Sequence, residues 1–115
     1  MSIDIKEQLN EMYNILSTLT ETSSHLATLA EANELEQSIF IFSSLIEGLE
    51  AVFNVIPTFD IDVTESMKQT EQALLHIAKS LENNTLHEVT EQTNGSLHPA
   101  IKKMTKAYKL ALETT

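Results

Sequence analysis

Cysteine, arginine and tryptophan are absent from this 115-residue chain, and glycine and proline occur only twice each. Each absence excludes something. Without cysteine there is no disulfide framework, no thiolate nucleophile and no thiolate zinc site. Without arginine there is no planar fork for bidentate recognition of phosphate or carboxylate. Scarce glycine and proline leave few breaks for long helices, and there is no Gly-rich loop to cradle phosphate and no G-x-S-x-G elbow. Positive charge is also scarce. Seven lysines face 17 acids, for a net charge of −10, and from Glu7 to Met67 there are eleven acids and no lysine. Such a surface repels phosphate backbones, so general nucleic-acid binding is not expected and basic partners are favoured. The longest unbroken apolar run is Ile39-Phe40-Ile41-Phe42, far short of the roughly 18 residues of a membrane span, so no membrane association is expected. Met1-Ser2-Ile3-Asp4 lacks the basic and apolar regions of a secretory signal. The reading is therefore cytoplasmic, and the sequons at Asn83 and Asn94 are discounted.

What the chain has in quantity is heptad periodicity. Ile5, Leu9, Met12, Leu16, Leu19, Ser23, Leu26 and Ala30 alternate steps of four and three, which places one apolar stripe along a helix. Asp4 and Glu7 have capping spacing at its start. A second series runs Leu35, Ile39, Phe42, Ile46, Leu49, Phe53 and Ile56, with a parallel stripe through Ile41, Leu45, Gly48, Val52 and Val55. Two adjacent stripes predict a central helix touched by two or more neighbours, begun at Asn33 and stopped before Pro57. Gly48 fits there if another helix approaches closely. Thr58 to Val63 alternates polar and apolar residues but has no pairing partner, and reads as an extended connector with Phe59 and Ile61 tucked inward. A third helix starts near Asp62 or Thr64 with the stripe Val63, Met67, Thr70, Leu74, Ile77 and Leu81, and ends at Asn83-Asn84. A short helix through Leu86 and Val89 follows. Asn94-Gly95 reads as a turn, with Ser96 or His98 capping the last helix and Pro99 in its first turn. The expectation is an all-α, antiparallel four-helix-type bundle with an additional short helix, forming one domain over residues 1–115.

The side chains that could carry chemistry do not assemble into a motif. His25, His76, His87 and His98 form no H-E-x-x-H pair, and no Glu has a His three residues later, so neither a zincin nor a di-iron site is expected. Asp60, Asp62 and Glu65 lack the glycine and further acids of a calcium loop, and helix capping accounts for two of them. Ser23-Ser24 and Ser43-Ser44 have no paired base. Glu47 and Glu50 read as a solvated face. No catalytic residue, metal or cofactor is expected.

Partner binding is the remaining reading. Phe40, Ile41 and Val55 widen the apolar face of the second helix beyond one seam, and Phe59 adjoins it, so an exposed patch is expected there. Lys102, Lys106 and Lys109, with Lys103 beside them, form a basic stripe that would pair with the acidic helices within the chain or across a homodimer. Both features suit a non-enzymatic adaptor, chaperone or inhibitor that takes a helical or basic segment into an apolar groove. A structural homodimer and an acidic nucleic-acid mimic are the alternatives. In small size, acidity and helical pattern the profile is similar to that of flagellar and type III export chaperones and of small immunity proteins. The similarity covers no motif.

Overall fold

Asp4 sets the first boundary. Its Oδ1 accepts from the Lys6 N–H at 3.0 Å, which caps α1 (Ile5–Glu31). The computed structural model describes residues 4–114, and within it α1 runs unbroken through Ser24. Every position of its heptad stripe from Leu9 to Ala30 is buried, whereas Ile5 is exposed. α2 (Leu35–Val55) follows after a tight turn. Asn33 makes that turn rather than capping α2. It stands in the left-handed region at φ 60°, its N–H reaches Ala30 O, and the Glu34 N–H reaches Leu29 O. This is the Schellman closure of α1, which an asparagine tolerates because its short polar side chain accepts positive φ. Asn84, at φ 57°, closes α3 in the same way, with Asn84 N–H on Leu81 O and Thr85 N–H on Ser80 O.

α2 leads into a short 3-10 turn (Ile56–Thr58) containing Pro57, and then into extended backbone at Phe59. Phe59 and Ile61 fold against the core, as the alternation predicts. Asp62 Oδ1 accepts from the Thr64 N–H at 3.1 Å at the start of α3 (Thr64–Glu82). That hydrogen bond, together with one from the Thr64 side chain, favours the carboxylate and holds Asp62 below its ordinary pKa.

The last part of the chain departs from the sequence reading. α4 (Leu86–Gln92) and α5 (His98–Glu113) are joined by a π-helical segment, Thr93–Leu97, into one long helix. Asn94-Gly95 is therefore not a turn, and neither Ser96 nor His98 is a cap. The His98 N–H bonds Thr93 O, a five-residue step. The cause is Pro99, which has no N–H to give and whose ring would strike the carbonyl four residues back. One extra residue in the turn moves that carbonyl aside, so the helix continues.

The four resulting helices form an antiparallel bundle with extents of 49 × 22 × 20 Å. α1 is the central helix: it packs along α5, α2 and α4, while α3 packs on α4 and α5. α2 lies along α1 and meets α3 over only a short stretch, so it does not hold the central place its two stripes suggest. Its buried seam is Ser38, Phe42, Leu45, Leu49 and Val52; apart from Ser38, which neither predicted stripe contains, it alternates between the two stripes. Ile39 and Val55 remain on the outside. The core is one cluster, with Leu16, Leu26, Leu45, Ile77, Leu97, Ile101 and Met104 fully buried. Truncating any one of these leucines to alanine would cost about 2–5 kcal/mol.

Candidate interaction surface

α2 has an apolar flank because its core seam uses only part of its apolar surface. Among the described residues it is the single helix long and apolar enough to cross a membrane, yet only 28% of its most apolar 18-residue stretch is buried. Counting unbroken apolar runs misses this, since Ser43, Ser44 and the acids Glu47 and Glu50 interrupt the run without making the helix polar. Phe40 stands out most, with 70% of its surface exposed. It and the half-buried Ile41 meet His25 and Leu29 of α1 around a shallow depression of about 230 Å³, rimmed by Glu36 and Gln37. Ile41, Gly48 and Val55 fall seven residues apart on the flank turned to α1. At Gly48 the two helices close up: a Cβ there would lie 2.6 Å from Leu19 Cδ2. Beyond this contact Val55 and Phe59 line a second depression, of about 400 Å³, with Glu11 and Ile15. Phe59 is less a surface residue than a lid on the core, since its ring meets Tyr108 edge-on at 5.7 Å and 82°.

The lysines lie elsewhere. Lys102, Lys106 and Lys109 border a depression of about 300 Å³ between α5 and α1, where they face Tyr13, Ser17 and Glu21. The predicted contact residues thus divide between two faces, one on each side of α1. The lysines make none of the expected ion pairs with the acidic helices among the described residues. Among the described residues the single ion pair is His87 with Glu91, at 2.7 Å on exposed ground. Glu21 lines the same depression as the lysines without forming an ion pair with them, and the rest of the α1 wall offers the hydroxyls of Tyr13, Ser17 and Thr20.

Two features were not visible in the sequence. His98, in the π segment's exit, places Nδ1 2.9 Å from Ser23 Oγ and 3.3 Å from Ser24 Oγ. Ser23 is buried and donates its one proton to Thr20 O at 2.7 Å, so its Oγ is left to accept from His98 Nδ1–H. The pair ties α1 to the last helix, as do Thr20 with Thr105 at 3.2 Å and Thr90 with Ala27 O at 3.4 Å. The signal was Ser23 itself, a polar residue inside an apolar heptad stripe. The second feature is a polar groove along α3 and the last helix. It is about 380 Å³ around Gln69, Gln72, Gln92 and Lys103, and continues past His76 toward Lys79 and Glu88. Of the predicted basic stripe only Lys103 lines it. Among the described residues no three His, Asp or Glu side chains converge as metal ligands would.

The chain belongs to the family described as Domain of unknown function (DUF8042), whose model matches residues 7–107. No curated protein and no solved structure matches it.

Proposed function

We propose that this member of the family is a non-enzymatic protein-interaction module, an adaptor, chaperone or inhibitor, whose α2 flank receives an amphipathic helical segment with basic edges. One observation carries the reading: α2 is apolar enough to be a core or membrane helix, but only 28% of the residues in its most apolar stretch are buried. Phe40 at 70% exposure and Ile39 at 44% are neighbours on that helix, and contiguous exposed apolar surface marks interaction sites. The surroundings favour a partner of positive charge. Glu36, Glu47 and Glu50 are exposed on the same helix, with Glu34 exposed just before it, and no lysine stands between Glu7 and Met67. A segment with apolar residues at i, i+3/i+4 and i+7 and lysines or arginines at the edges complements that surface.

The test uses a basic amphipathic helical peptide of leucine and lysine, and a control with glutamate for lysine, titrated into the ¹⁵N-labelled protein. The basic peptide is expected to shift amides of α2 and the adjoining edge of α1, with Phe40→Asp weakening binding at least tenfold while the thermal midpoint holds. Equal binding of both peptides, or shifts confined to the α3 side, would overturn the reading.

A further inference from the structure

We infer that the lysine face of α5 docks on the α2 face of a second copy, so that the protein self-associates head to tail. The inference rests on the reading of α2 as a docking surface and names an occupant for it. Two observations on α5 and one on α2 point there. Lys102, Lys106 and Lys109 lie exposed along one side of α5, and no carboxylate of their own chain forms an ion pair with them among the described residues. Beside them Leu110 is 63% exposed, which supplies an apolar contact for Phe40. The complementary surface is on the same molecule: α2 and the neighbouring part of α1 carry acids and exposed apolar side chains but no lysine after Lys6.

One copy cannot satisfy both faces internally. α2 and α5 each pack along α1 and share no extended seam with each other among the described residues, so the two faces lie on different parts of the bundle surface. A contact between α5 of one copy and α2 of the next therefore uses two different patches, and it leaves one of each free. Association proceeds by addition of further copies instead of stopping at a dimer. The net charge of −10 opposes it at very low salt. At physiological ionic strength the screening length is about 8 Å, which damps that long-range repulsion while the lysines and glutamates in contact still attract.

Sedimentation equilibrium of the full chain tests this with a charge exchange. One variant carries K102E/K106E/K109E and the other E36K/E47K/E50K, both checked for helical circular dichroism and thermal midpoint. The wild type is expected to show a weight-average mass that climbs with concentration in 150 mM NaCl and falls back to the monomer in 1 M NaCl. Each variant alone should lose association at least tenfold, and an equimolar mixture should recover it, because each supplies the charge the other now needs. A wild type that stays monomeric up to about 1 mM, or an association that survives the lysine reversal, would overturn the inference. If the wild type is monomeric but the basic peptide still binds at α2, only self-docking falls. If the peptide also fails to bind, the docking reading of α2 falls with it.

Discussion

Tyr108 brings a hydroxyl into the core without giving it a partner. The side chain is fully buried, its ring is held edge-on by Phe59, and the oxygen has no hydrogen bond. An orphaned buried hydroxyl costs about 1–3 kcal/mol of desolvation. Tyr108→Phe keeps the ring and removes that cost, so it is expected to stabilise the domain by about 1 kcal/mol in urea unfolding. The same burial pushes the phenol up to about 12 from its ordinary 10.0. A raised folded value means that stability is fully present below pH 10 and is lost as pH rises through 10 to 12, while the unfolded chain ionises first. The alkaline limb of the stability profile should therefore be shallower in Tyr108→Phe than in the wild type, and identical limbs would show that another group causes the loss. Asp62 acts at the opposite end of the scale. Its value is lowered by the Thr64 hydrogen bonds, so its contribution is present above the ordinary 3.8 and disappears as pH falls through the folded value. The conformation of Asn33 was not legible. Asn, Ser and Thr serve at both ends of helices, and the choice between starting α2 and closing α1 depends on the sign of φ, which the residue type leaves open.

At the scale of the element, periodicity gave the helices but not their rotation. α2 offered two stripes with the same spacing, and the bundle buried a line between them, because α1 approaches at Gly48 and turns the helix about that contact. The register makes a sharp contrast. Phe42 is 7% exposed and Phe40 is 70% exposed. Phe42→Asp would place an unpaired carboxylate in the seam, at several kcal/mol, and is expected to unfold the domain by circular dichroism. Phe40→Asp should change the unfolding free energy by no more than about 0.5 kcal/mol. Equal damage from both would mean that α2 is rotated from this register. The joined α4–α5 helix was illegible for a different reason. Asn-Gly before a Ser-x-x-Pro run is a strong local turn signal, and it is overridden because a π turn lets Pro99 sit inside a helix that packs along both α1 and α3. Gly95 separates the two descriptions. It has negative φ, and a Cβ there meets nothing within 4 Å. In a continuous helix Gly95→Ala should stabilise by about 0.5–1 kcal/mol, whereas in an Asn-Gly turn with positive φ it would destabilise.

On the scale of the whole molecule, composition foretold an all-helical bundle because nothing in the chain competes with helix: few breakers, no disulfide, and apolar residues at 3.5-residue spacing almost throughout. The candidate surfaces were legible as residues but not as a shape. Phe40, Ile41 and Val55 do share a flank, but the lysines stand on the opposite side of α1, and only the helix order around the bundle separates them. That separation has a measurable consequence for stability. With 17 acids against seven lysines, and with a single described ion pair, which is exposed, the folded state contains much repulsion and little attraction between charges. Salt screens both, and here there is almost no attraction to lose. Raising NaCl from 10 to 150 mM should therefore lift the thermal midpoint by about 3–5 °C, equivalent to somewhat under 1 kcal/mol for a chain of this size. The measurement is best made at a concentration low enough to keep the protein monomeric. A midpoint that falls with salt would reveal stabilising pairs between the lysine face and the acids, and with them a fold in which α5 already spends its charge within the chain. A rise shared by the wild type and K102E/K106E/K109E, larger in the variant because its net charge is more negative by six, would place all three lysines free in solution and available to a partner.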